Sequence, residues 1–256
     1  MIPENAAKPE DSRKNKKKKK RRNVLESNRN IDMKAEKQLA SFLDEHFYSR
    51  LHDKNGISVK FDRKKDKTSQ LQGIDVELNA DGKTFIIDEK ASFYYSNAMI
   101  PTFAFEINSL QKGHNEPVDG WFVNDSLKTE YYLLIWPNIK CEYKSQNEQW
   151  VRKNLDNIKQ SDFTIVEAML IERKRLLTEV EKYGCSKPSL IEYAKKLRTS
   201  MNNKIESKSE IINNNIKIMY SGNIAEKPIN AVIHKKLLKS IASATYLISE
   251  DGYAQI

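Results

Sequence analysis

The sequence predicts an α/β protein: one amphipathic helix, then a series of strands, then a mainly helical C-terminal part. Three observations lead there. Apolar residues recur at three- and four-residue spacing through 31–51. Short apolar runs bounded by turn signals fill 57–136. Beyond about residue 150, helical spacing and capping signatures return. The 256 residues, 39% hydrophobic and 31% charged, are enough for one large domain or for a core with an appendage.

Residues 1–27 are expected to be a disordered basic tail. The run Arg13–Arg22 holds nine basic residues, and Met1–Asn23 carries ten basic and three acidic ones. The tail is therefore +7 of the total +9, which leaves the remainder nearly neutral. Like charges in a run repel and stay solvated. Such a tail attracts phosphate non-specifically, in a manner that salt reverses. It also has the composition of a nuclear targeting signal, and its plainest use is solubility.

The spacing of Ala35, Leu39, Phe42, Leu43, Phe47 and Leu51 predicts a helix from Ile31 to Leu51, with Asn30 or Asp32 as N-cap. Glu36 lies beside its apolar stripe. Ile57–Phe61 alternates like a strand, and Asp62–Gln70 reads as a polar connector holding Arg63, Lys64, Lys65 and Lys67. Gly73–Ala91 reads as a hairpin closed by Asp81-Gly82, the pair that a type I′ turn favours because both positions need positive φ. Thr102–Ile107 is a further strand. "GWFVN" and "EYYLLIW" read as another hairpin, the second strand apolar enough to be buried on both faces. Trp121, Trp136 and the neighbouring aromatics are assigned to the core.

The core is placed at 28–155 and the C-terminal extension at 156–256. Thr164-x-x-Glu167 has the form of a capping box opening a helix with the stripe Val166, Met169, Leu170, Leu177 and Val180, ended by Gly184. Ser189-x-x-Glu192 opens another. The segment 206–217 reads as a linker, "KIMYSG" and "NAVI" as strands, and the stretch from His234 as helical at first.

The hairpin carries the chemistry. With Asp81-Gly82 as the turn, Val76 faces Ile87 and Leu78 faces Phe85, giving an apolar face. Asp75 then faces Asp88 on the other, with Lys90 two residues on. Opposed side chains in a ladder stand only ~4.5–5.5 Å apart. Two carboxylates there repel, so one pKa rises unless a cation intervenes. A divalent metal is a better bridge than a lysine, and Mg²⁺ suits carboxylate oxygens. An ordinary solvated face would explain Glu77 and Thr84, but not two opposed acids.

An acid before a tight hairpin, then Asp-x-Lys on the next strand, resembles the PD-(D/E)XK nuclease superfamily. The matching residues are Asp75 in "GID" and Asp88-Glu89-Lys90 in "IIDEKA", with "QLQG" ahead of them and "GID" in place of Pro-Asp. The resemblance covers roughly Asn30 to Trp136. It implies a restriction-endonuclease-like core with a mixed central sheet flanked by helices. It implies metal-dependent hydrolysis of phosphodiester bonds in nucleic acid, more readily DNA. Asp75 and Asp88 would bind Mg²⁺, with Mn²⁺ as a substitute and the Glu89 carbonyl as a further ligand. Lys90 would orient the attacking water. Glu36 would bind the metal through water or brace Lys90. Glu106 is a candidate third acid if its strand lies near the hairpin. Arg63, Lys64, Lys65 and Lys67 would contact the nucleic acid. A homodimer or a larger nucleoprotein complex fits the resemblance. The alternative is a non-catalytic nucleic-acid-binding or complex-forming module on the same fold.

No apolar run approaches the ~18–20 residues of a bilayer span, so no membrane association is expected. The polar N-terminus lacks the apolar stretch of a secretory signal. The two cysteines, Cys141 and Cys185, have no metal-ligand spacing and suit a reducing compartment. The expected location is intracellular: cytoplasmic for a bacterial or phage protein, nuclear possible for a eukaryotic one.

Overall fold

The computed structural model describes Ser27 and residues 29–111, 113–114, 116–140 and 154–256. Apart from Ser27, the expected disordered basic tail lies outside the described residues, as does Cys141. Helix α1 spans Arg29–His46. Strand β1 (Lys60–Arg63), the short helix α2 (Lys67–Leu71) and the hairpin strands β2 (Val76–Ala80) and β3 (Lys83–Ala91) follow. Next come β4 (Thr102–Ser109), β5 (Val118–Asp119), β6 (Tyr131–Ile139) and β7 (Phe163–Glu172). Helices α3 (Arg173–Glu181) and α4 (Lys187–Met201) lead to β8 (Lys208–Ile211), β9 (Ile216–Tyr220) and β10 (Ile229–His234). The chain closes with α5 (Lys235–Ile241), β11 (Ala244–Ser249) and β12 (Gly252–Gln255).

The fold is α/β, built on two sheets. The main sheet has seven strands in the order β1-β2-β3-β6-β7-β11-β12. It is mixed, because β3 and β6 run parallel while its other neighbours are antiparallel. The second sheet has five antiparallel strands in the order β5-β4-β10-β9-β8.

Alternation along the strands decides the layers. Val76, Ile87, Leu133, Ile135, Val166 and Ala168 point to the face covered by Ala35, Leu39, Phe42 and Leu43 of α1. Fully burying such a side chain contributes about 1.5–3 kcal/mol, so packing rather than intrinsic propensity holds α1 in place. Tyr132, Leu134, Trp136, Met169 and Ile171 point the other way, into a core shared with the second sheet and with α3, α4 and α5. Strand β6 is thus buried on both faces, as its composition predicts.

Several expectations are corrected. The helix proposed at Thr164 is strand β7, and Val166, Met169 and Leu170 lie on it, while Leu177 and Val180 lie on α3. "FTIVEAMLIE" alternates in burial and pairs with β6 on one side and β11 on the other, and this tertiary pairing overrides the capping signature. The C-terminal part is neither mainly helical nor an extension. It supplies β7, β11 and β12 to the main sheet and β8–β10 to the second, so a boundary at 155/156 would cut both sheets. "GWFVN" is not a strand: Trp121–Val123 form a turn, and β6 pairs in parallel with β3 rather than in a hairpin. Part of the expected linker, Lys208–Ile211, is strand β8. Helix α1 begins before its expected caps, so Asn30 and Asp32 lie inside it. Helix α4 is capped by Ser186 rather than Ser189. Among the described residues no helix is long and apolar enough to cross a membrane.

Candidate active site

The hairpin folds as its turn dictates. Asp81 and Gly82 have φ of 51° and 72°, and the ladder pairs Val76 with Ile87 and Leu78 with Phe85. The ladder ends at Val76. Asp75 donates its N–H to the Ile87 carbonyl (3.0 Å), and its Oδ2 accepts the Glu89 N–H (2.8 Å). The acid thus replaces a ladder acceptor. Its carboxylate is close enough to interact directly with that of Asp88, so the two predicted acids do converge.

Asp88 is buried, and its two oxygens differ. Oδ1 accepts from the Lys90 ammonium. Oδ2 is buried without a hydrogen-bond partner among the described residues. Leaving a buried carboxylate oxygen unsatisfied costs on the order of 1–3 kcal/mol or more.

The electrostatics follow from crowding. Burial pushes the Asp75 carboxyl up to about 6, with Lys90 opposing the rise and Asp88 adding to it. Burial works against the Lys90 ammonium too, yet Asp88 and Asp75 outweigh it and hold the lysine above its ordinary value. Glu36 stands at an exposed position of α1, yet the protein packed around its carboxyl raises its pKa, Lys90 lowers it, and Asp32 and Asp75 raise it again. Its site lies within the field of the cluster, at an open position of the helix. Glu106 sits on β4 of the second sheet, where Ser109 Oγ donates to it (3.1 Å). Burial raises its pKa, the Ser109 bond opposes this, Glu226 adds to it and Lys90 lowers it. Among the described residues no three His, Cys, Asp or Glu side chains gather closely enough to hold an ion together. Glu36 and Glu106 therefore flank the Asp75–Asp88 pair without joining it as ligands in this geometry.

Asp75 gives a signed pH dependence. Its folded pKa lies above the unfolded one, so the folded state keeps a proton that the unfolded chain releases between about pH 4 and 6. This group's contribution to stability is present below that window and lost as pH rises through it. Asp75→Asn is expected to stabilise the metal-free protein at about pH 7.5, by roughly 1–3 kcal/mol, and to have little effect near pH 4. Denaturant midpoints of both proteins in chelator at the two pH values test this.

The approach to Asp75 depends on one glycine. Gly73 has φ of 70°, and a Cβ there would stand 2.3 Å from Thr129 Oγ1. The Thr129 hydroxyl donates to the Gly73 carbonyl (2.9 Å), and Lys128 N–H donates to the Gln72 carbonyl (2.8 Å). The irregular segment leading into β6 thus clamps the stretch that presents Asp75. Gly73→Ala is expected to cost about 2–3 kcal/mol through backbone strain and the clash, read from the shift in urea midpoint.

One predicted nucleic-acid contact, Arg63, is corrected. Arg63 faces inward, toward α1. Its Nη1 and Nη2 donate to Glu89 Oε2 (2.8 Å) and Oε1 (3.0 Å), and its Nε donates to Asp44 Oδ1 (2.7 Å). Tyr48 OH completes the cluster by donating to Glu89 Oε1 (2.9 Å). The Glu89 side chain therefore points away from Asp75 and Asp88, as strand parity predicts, while its backbone N–H bonds Asp75. Lys64 is held between Asp62 (2.6 Å) and Glu77 (2.9 Å). Lys65 and Lys67 are exposed.

Three contributors escaped the sequence reading. Trp121, assigned to the core, faces Lys90 with Nζ 5.3 Å from its ring centroid. Tyr132 pairs with Asp88 across the β3–β6 register. Burial pushes its hydroxyl up to about 12, with Arg173 opposing and Asp88 adding. Thr129 closes on Gly73. Of these, only the partner of Thr129, Gly73, two residues before the acid, carries a signal in the sequence. Comparison with family models, with curated proteins and with solved structures gives no match.

Proposed function

We propose that this protein is a metal-dependent nuclease that hydrolyses phosphodiester bonds in nucleic acid, with DNA as the expected substrate. The observation that carries the reading is the buried, unpartnered Oδ2 of Asp88 beside the Asp75 carboxylate, with Lys90 on the same strand face. An oxygen in that state fits a cation ligand. A hard divalent cation takes carboxylate and carbonyl oxygens and keeps several waters, so two acids and one carbonyl are a sufficient protein share. Asp75, Asp88 and the Glu89 carbonyl would hold Mg²⁺ or Mn²⁺. Bound there, the ion would supply Lewis acidity at a phosphate oxygen and a water of lowered pKa.

The chain's own groups do the rest. Lys90, held charged by two carboxylates, orients the attacking water and stabilises negative charge developing at phosphorus. Glu36 draws on the Lys90 charge and braces it. Glu89 anchors strand β3 from behind through Arg63. Lys65 and Lys67, with the basic N-terminal run, supply phosphate attraction. The order of α1, three antiparallel strands and a parallel β6 supports a restriction-endonuclease-like core.

The test is cleavage of supercoiled plasmid and of single-stranded DNA by wild type and Asp88→Asn, with Mg²⁺, Mn²⁺ or chelator. Metal-dependent cutting by wild type alone is expected. No cutting by wild type, with both proteins folded, would contradict the reading and leave a non-catalytic binding module.

A further inference from the structure

The segment between the parallel strands β3 and β6 does not cross directly. It runs through β4 and β5 of the second sheet and returns by way of a turn at Gly120–Val123. That turn is clamped onto β4. Gly120 N–H donates to the Ile107 carbonyl (2.7 Å) and Phe122 N–H to the Glu106 carbonyl (3.1 Å). A Cβ on Gly120 would stand 2.3 Å from the Glu106 oxygen, so only glycine permits the approach. The residue so delivered is Trp121.

Its ring is fixed on several sides. Phe105 packs at 5.3 Å between centroids and Tyr132 at 5.1 Å, edge on. The Tyr132 hydroxyl donates to the Trp121 carbonyl (3.3 Å), and Arg173 Nε donates to that hydroxyl (3.1 Å). The centroid of the indole lies 5.3 Å from Lys90 Nζ, which stands over the ring. Lys90 is therefore gripped by a carboxylate, Asp88, and by a neutral π face.

The two grips respond differently to a cation. A carboxylate engaged by a divalent ion attracts the ammonium less, and the ion itself repels it. The indole attracts through its quadrupole, which that engagement does not consume. Lys90 released from Asp88 has two competing acids within its field, Glu36 and Glu106. We infer that Trp121 is a positioning residue that keeps the Lys90 ammonium at the reacting centre when Asp88 is engaged by a divalent cation. This rests on the nuclease reading of the same site.

Two arms test it. In cleavage, Trp121→Leu lowers kcat by about 3- to 30-fold with KM for DNA little changed, and Trp121→Phe, which keeps a π face, recovers to within about threefold of wild type. In NMR of ¹³C-lysine-labelled protein, the Lys90 ε-methylene signal, assigned by its loss in Lys90→Arg, is shifted upfield by the indole ring current. The shift persists when Mg²⁺ is added and is lost in Trp121→Leu. A wild-type shift that collapses on adding Mg²⁺ overturns the inference without requiring any variant to fold. Wild-type kcat in Trp121→Leu overturns it as well. A wild type that cuts no substrate while the shifted signal persists in Mg²⁺ removes the nuclease reading and leaves the Lys90–Trp121 placement standing.

Discussion

Lys90→Met lowers the rate of phosphodiester cleavage by about 10³-fold, while divalent-ion affinity is retained or improved. The expectation follows from what the ammonium does. Methionine keeps most of the aliphatic stem, so the volume beside Trp121 stays filled while the contact of the ammonium with the indole is lost. What disappears is one positive charge between Asp88 and Asp75. A metal-free Lys90→Met protein is left with an uncompensated buried carboxylate, and breaking such a pair costs about 3–5 kcal/mol. That same carboxylate then has no competing ammonium, so an added divalent ion binds at least as well and restores stability. Rate loss together with intact metal binding separates a catalytic role from collapse of the hairpin, which would remove both. Single-turnover cleavage and a Mn²⁺-dependent melting curve on one preparation give the two readouts.

Arg63→Met destabilises the fold by about 3–5 kcal/mol. The Arg63 side chain is only 11% exposed and that of its partner Glu89 12%. It makes a two-pronged contact with Glu89 and a third bond to Asp44, and its carbon lies 5.6 Å from the centroid of the Tyr48 ring. Removing it leaves two carboxylates with reduced compensation beneath strand β3. Lysine cannot reproduce the fork, so Arg63→Lys also destabilises. Arg63→Met combined with Glu89→Leu recovers part of the loss, because the uncompensated charge goes with its partner. Urea denaturation measures all three. A phosphate-contacting Arg63 would give the opposite pattern, with unchanged stability and weaker, less salt-sensitive DNA binding.

The acid-bearing hairpin was legible because its geometry is local. A two-residue turn needing positive φ twice fixes the register, and the register fixes which side chains share a face. That logic placed Glu89 on the far side from Asp88 and brought Asp75 and Asp88 together. It ran one pair too far at Asp75, where the side chain, not the backbone, takes the Glu89 N–H. The inward turn of Arg63 was not legible. Its face is set by the pairing of Arg63 with Val76, across a connector whose polar composition says nothing about register. Strand β7 was misread because Thr164 and Glu167 have the spacing of a helix cap, whereas neighbours far away in sequence, β6 and β11, decide its state. Trp121 packs against the core as expected, but its contact with Lys90 is not legible until the turn and β4 are placed together.

The most direct measurement is Mn²⁺ binding, followed by electron paramagnetic resonance, to wild type, Asp75→Asn, Asp88→Asn and the double variant. Each single substitution is expected to weaken binding about tenfold or more, and the double variant to lose it at the same concentrations. Binding of wild-type affinity in the double variant would show that Asp75 and Asp88 do not hold the ion, and the catalytic reading of the hairpin would fall with it.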